Sequence, residues 1–170
     1  MIYKCSRKIK DDEYYTRYED IKKLFDNQIV YKLKKYNLKV CCPCDTDKSN
    51  FYKYFCDYGI KVDLYQDVFK VDYSKYDLVV TNPPFKIKKE LLKFYLDNNI
   101  NFILVLPDIM IYNLKHNKLK MFKNQKPQLF INGRLNKFIR SDGSFKNVGC
   151  DWVSNCKIHD ILSRSLKYEY

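Results

Sequence analysis

Asp77-Leu78-Val79-Val80-Thr81-Asn82-Pro83-Pro84-Phe85 is the stretch on which the reading of this chain turns. Leu78 to Thr81 is a short apolar run of the kind that forms a buried strand, and it passes without a linker into Asn82 and two prolines. Proline fixes φ and lacks a backbone N–H, so the strand must stop there in a rigid turn. In open α/β sheets the carboxyl ends of the strands are where ligands bind.

Outward from this turn the chain alternates between strand and helix patterns. Downstream, Ile87, Leu91, Phe94 and Tyr95 share one helical face, and Ile100 to Leu106 reads as the next strand. Upstream, Leu38 to Cys44 predicts a strand closed by Asp45 and a polar loop. Ser49 or Asn50 then caps a helix carrying Phe51, Tyr54, Phe55 and Tyr58, with Gly59 as its stop. Ile60 to Tyr65 is a further strand, ending near Asp67, and Ile21, Leu24, Phe25, Ile29 and Leu33 predict one helix over roughly 18–35. The expected class is α/β, with a mostly parallel sheet covered on both faces. In the last third, Asn132-Gly133 and Asp142-Gly143 predict hairpin turns and antiparallel strands. Val148 to Cys156 is expected as the last strand, and Ile158, Ile161, Leu162 and Leu166 mark a C-terminal helix.

A length of 170 residues suits one domain and leaves no separate target-recognition domain. Hydrophobic residues at 46% argue against disorder in spite of a net charge of +12. That charge is uneven: residues 86–146 carry 13 basic and 4 acidic side chains, so most of the excess follows the proline turn. A basic segment over 108–146 suits a polyanionic partner, with Lys115, Lys118, Lys120, Lys123, Lys126, Arg134 and Arg140 as candidate phosphate contacts. No apolar run approaches the ~18 residues of a membrane span. The N-terminus shows no signal-peptide pattern, and seven cysteines, an odd number, are expected as reduced thiols in a cytoplasmic protein. Cys41 and Cys44 form C-x2-C, but Cys41 and Cys42 belong to an apolar strand pattern and Cys150 and Cys156 are spaced C-x5-C, so no metal site is expected. Two histidines and no serine motif give hydrolase chemistry little support.

The Asn82 side-chain oxygen and the Pro83 carbonyl are both acceptors that can receive hydrogen bonds from a planar amino group, while Phe85 stacks on the ring bearing it. Asn82, Pro83, Pro84 and Phe85 are therefore the candidate catalytic residues for methylating an exocyclic amine. On these residues the chain resembles the adenine-specific DNA methyltransferases of the EcoRI type, within the Rossmann-like, S-adenosylmethionine-dependent class. Two further blocks carry the resemblance, Asp12 to Ile21 and Cys44 to Phe55, and Asp151-Trp152-Val153-Ser154-Asn155 is similar to that family's tryptophan-containing final strand.

The resemblance implies that Tyr14, Tyr15 and Thr16 contact the methionine half of S-adenosylmethionine, that Asp45 and Thr46 line the pocket after the first strand, and that Asn82 to Phe85 hold a flipped adenine. It implies DNA as substrate, with adenine in RNA, the amine of cytosine, or a protein glutamine as alternatives; the small size of the chain leaves sequence specificity to residues 108–146 or to a partner subunit, or makes it slight. Two departures stand out. The loop from Asp45 to Ser49 has no glycine, and Asp45 and Asn82 are only 37 residues apart, so one βα unit is expected to be reduced or absent. The acid that meets the cofactor's ribose is then either Asp63 or Asp67, with Asp67 preferred, for the ribose hydroxyls or, alternatively, for the cofactor's adenine. A non-catalytic nucleic-acid-binding subunit that keeps the fold is the competing expectation from a different class.

Overall fold

The computed structural model describes residues 14–26, 29–65, 67–122 and 129–155. In chain order the elements are β1 (Tyr15–Thr16), α1 (Tyr18–Phe25), α2 (Ile29–Lys35), β2 (Val40–Pro43), α3 (Asn50–Asp57), β3 (Val62–Tyr65), β4 (Leu78–Thr81), α4 (Lys88–Asp97), β5 (Phe102–Pro107), α5 (Asp108–Lys115), β6 (Leu129–Ile139) and β7 (Phe145–Ser154). The strands form one seven-stranded sheet in the order β1-β6-β7-β5-β4-β2-β3.

Alternation along the central strands builds the layers. Val40, Cys42, Val80, Ile103, Val105 and Trp152 face a core with α1, α2 and α3, whereas Cys41, Val79, Phe102, Leu104 and Val153 face a second core with α4 and α5. A sheet apolar on both faces needs helices on both, which explains the unbroken apolar runs of β2, β4 and β5.

The α/β class expected from the sequence is observed. The antiparallel strands expected in the last third are there, β5–β7 and β7–β6, beside the parallel set β3, β2, β4 and β5; β1, antiparallel to β6, brings the antiparallel pairings level with the parallel ones, so the sheet is mixed. The helix expected over 18–35 is two helices. The first ends at Asp26, whose carboxylate takes the Lys22 ammonium at 2.7 Å and the Tyr54 hydroxyl at 2.6 Å, fastening α1 to α3. Asn132-Gly133 is not a hairpin turn but lies inside β6. Both sides of it pair with β7, Ile131 with Trp152 and Leu135 with Cys150, so the extra residues are absorbed by a register shift. Asp142-Gly143 does turn the chain: Gly143 sits at φ 86° and the Ser144 N–H donates to the Asp142 carboxylate at 2.9 Å. The basic segment expected over 108–146 contains a helix, α5, which buries Met110, Ile111 and Leu114. The expected C-terminal helix lies outside the described residues.

With only four glycines in the chain, three of the described helices end with asparagine. Asn37, Asn99 and Asn117 adopt left-handed φ of 50°, 51° and 56° just past α2, α4 and α5, where Gly59 does the same past α3 at 69°. The next N–H in each case reaches back five residues, as from Ile60 to Phe55 at 2.8 Å and from Ile100 to Tyr95 at 2.9 Å, closing Schellman turns.

Candidate active site

The chain leaves β2 for β3 on one side and returns through β4 on the other, so the sheet order reverses between β2 and β4 and a crevice opens beyond their carboxyl ends. The Thr81 hydroxyl ties the two ends together, donating to the Pro43 carbonyl at 2.6 Å and lying 3.3 Å from the Asp45 carboxylate. Immediately after β2, Cys44 takes φ 67°, so the left-handed position is filled here without a glycine.

Three sequence blocks distant along the chain line this cleft: Tyr14 to Thr16, Cys44 and Asp45 with Ser49 to Phe51, and Asn82 to Phe85. Asn82 is the hub. Its side-chain amide donates to the Tyr14 carbonyl at 2.9 Å and lies 3.2 Å from the Thr16 hydroxyl, which fixes its orientation. Asn50, in the first turn of α3, donates to the Thr16 carbonyl at 3.0 Å, and Tyr14 meets Phe85 edge to face with centroids 5.4 Å apart. The short strand β1 is itself held by β6, Tyr15 opposite Ile139 and Thr16 opposite Phe138.

The residue that sequence reasoning missed is Lys88. It is 2% exposed, its ammonium donates to Asn82 Oδ1 at 2.7 Å and to the Val105 carbonyl at 2.6 Å, and it lies 5.0 Å from the Phe85 ring centroid. Set in the run Lys86-Ile87-Lys88-Lys89, it carries no signal that separates it from solvated neighbours. Cys150, on β7, also lines the cleft; burial pushes its thiol up to about 11, against the opposing pull of the Lys88 charge.

Other expected site residues fall elsewhere. Thr46 shapes the loop, its carbonyl accepting from the Ser49 N–H at 3.0 Å. Asp67 is not among the cleft-lining residues; its carboxylate accepts from the Phe69 N–H at 3.1 Å. Asp63, the other candidate, accepts from the Tyr76 hydroxyl at 2.6 Å, again outside the cleft. Lys115, Lys118, Lys120, Arg134 and Arg140 are exposed, and the first three follow one another on α5 and the turn after it. Lys123 and Lys126 lie outside the described residues. The expectation of reduced thiols is corrected at one position: Cys41, Cys42, Cys56 and Cys150 are free, but Cys44 is disulfide-bonded.

Fold and site together define a three-layer α/β protein with a polar cleft at a topological switch point. No family model, curated protein or solved structure matches the chain, so its function must be argued from the cleft itself.

Proposed function

We propose that the protein is an S-adenosylmethionine-dependent methyltransferase acting on the exocyclic amine of adenine in DNA. The observation that carries this reading is the placement of Asn82-Pro83-Pro84-Phe85 in the switch-point crevice, against the same Tyr14-to-Thr16 and Cys44-to-Phe51 segments that the motif resemblance pairs with it. The order β3-β2-β4-β5-β7-β6, with β7 running against its neighbours, supports a Rossmann-like methyltransferase sheet shortened by one edge unit.

The donor set fits the cofactor. Asp45 offers a carboxylate to hydroxyl or ammonium groups, Thr16, Ser49 and Asn50 offer neutral polar groups, and Tyr14, Phe51 and Phe85 offer ring faces. Bound there, S-adenosylmethionine would supply the methyl group. Asn82 Oδ1 has a second lone pair beyond the one given to Lys88, and with the Pro83 carbonyl it would receive the two amine hydrogens. Phe85 would stack on the base, and the amine would lose its proton to solvent after transfer. The exposed Lys115 at the end of α5 and Lys118 and Lys120 after it would meet the phosphate backbone.

Calorimetry with S-adenosylmethionine tests the reading. Binding that is abolished by Asp45→Ala supports it, and no binding at millimolar cofactor sinks it. Transfer of labelled methyl to DNA, RNA and protein pools then names the substrate, with Asn82→Ala expected to be inactive. One observation favours a second reading, a nucleic-acid-binding fold without catalysis: Asn82 already spends one acceptor position on Lys88. The same titration separates the two.

A further inference from the structure

A second cleft opens at the opposite end of the sheet, where β2 and β3 begin. It is ringed by Lys34 from α2, Lys39 before β2, Lys61 before β3, and Lys75 from the turn preceding β4. All four are exposed, and none forms a salt bridge among the described residues. This differs from Lys22, Lys70 and Lys93, which pair with Asp26, Asp67 and Asp97, each three or four residues away in the sequence. Asp63 lines the same cleft and Asp72 feels the Lys75 charge, so the four lysines outnumber the one lining carboxylate and leave the cleft a net positive charge, while the carboxylates take their hydrogen bonds from neutral donors. Asp63 takes the Tyr76 hydroxyl, Asp77 takes the Lys39 backbone N–H at 2.8 Å, and Asp72 takes the Ser74 hydroxyl and N–H.

Four ammonium groups brought from four segments to one concavity repel one another, and a low-dielectric cleft focuses their field. Gly59, at φ 69°, turns the chain from α3 into the rim of this cleft. We propose that this cleft is a binding site for a compact oligophosphate, either free or as the phosphate chain of a nucleotide. The lysines ring a cavity instead of lining a stripe, which suits several charges on one small ligand better than an extended duplex. The site lies at the amino ends of β2 and β3, remote from Asn82, and stands whether or not the chain transfers methyl groups.

Sodium tripolyphosphate, ATP and a DNA duplex are titrated into the full chain at about 0.1 M salt, where exposed charges further apart than about 10 Å are largely screened. Tripolyphosphate is expected to bind one per chain, and Lys34→Glu with Lys61→Glu to weaken it at least about tenfold, by charge reversal at the cleft. Lys53→Glu with Lys89→Glu, which changes net charge equally on exposed faces of α3 and α4, is expected to leave binding within about twofold. ATP binding tighter than tripolyphosphate assigns a nucleotide; equal binding assigns the free oligophosphate. Equal losses in the two double variants, no binding of tripolyphosphate, or binding of the duplex alone would each overturn the proposal.

Discussion

The Lys88 ammonium donates to Asn82 Oδ1 at 2.7 Å while its other contact, the Val105 carbonyl, belongs to the neighbouring strand β5. One buried cation thus joins the turn after β4 to the sheet that positions it. Removing it strands two acceptors, so Lys88→Met is expected to lower unfolding free energy by about 1–3 kcal/mol. Combined with Asn82→Ala, the loss should fall short of the sum by about 0.5 kcal/mol or more, as for residues in contact. Denaturant unfolding of the two single variants and the double variant measures this; strict additivity would show that the pair is not coupled.

Trp152 is the only tryptophan and lies between Phe25 and Phe51, with ring centroids 6.2 and 6.1 Å away. Its fluorescence is expected to be blue-shifted in the native state and to report unfolding of the core under α1 and α3. Trp152→Ala should cost about 3–5 kcal/mol, the usual range for deleting a large buried aromatic. A native emission maximum like that of free tryptophan would contradict this packing.

Asn99 provides a clean test of the helix endings, because it is exposed and sits at φ 51°. Asn99→Gly is expected to be neutral or slightly stabilising, and Asn99→Ala to cost about 1 kcal/mol, since a Cβ without a compensating polar group is disfavoured there. Thermal melts of both variants should rank glycine above alanine.

Thiol accessibility should divide the described cysteines. Cys56 is exposed, whereas Cys41, Cys42 and Cys150 are buried and free. Iodoacetamide at mildly alkaline pH is expected to alkylate Cys56 and spare the other three until the protein unfolds. Peptide mapping by mass spectrometry decides, and early modification of Cys42 would mean that the core opens locally.

Burial also makes stability fall in alkali. It lifts the Cys41 thiol from 9.0 to about 12 and the Cys150 thiol from 9.0 to about 11, and it raises the Tyr95 hydroxyl as well. The native state then keeps protons that the unfolded chain releases, so this contribution is complete below the unfolded thiol value near 9 and is lost as pH climbs toward 11 and 12. Denaturation midpoints are expected to be level from about pH 7 to 8.5 and to decline above about 9. A level profile to pH 11 would refute it.

Strands β2, β4 and β5 were legible because a sheet covered on both faces demands continuous apolar runs, β3 because an edge strand alternates apolar and polar residues, and α3 because Ser49 caps it, its hydroxyl accepting from the Tyr52 N–H at 3.1 Å. Asn82 and its turn were legible because proline has few backbone choices. Other features carried no local signal. A two-residue strand such as β1 has no period to detect, and its pairing is decided by β6, more than a hundred residues later. Lys88 looks like any surface lysine until the turn Phe85–Ile87 and the start of α4 rotate it beneath Asn82, toward a strand it precedes. The Asn132-Gly133 dipeptide has the chemistry of a hairpin turn, yet the long partner strand β7 makes continued pairing with a bulge the better solution.

The docking of β1 on β6 has a consequence for the order in which the molecule is made. Tyr14 and Thr16 leave the ribosome among the first described residues, but the strand that holds them arrives only with Phe138 and Ile139. Until that distant loop closes, Asn82 keeps Lys88 on its oxygen but lacks the Tyr14 and Thr16 partners that hold its amide nitrogen. The wall of the cleft is therefore synthesised early and seated late, and a nascent chain stopped before β6 would carry the Asn-Pro-Pro-Phe turn without a finished site.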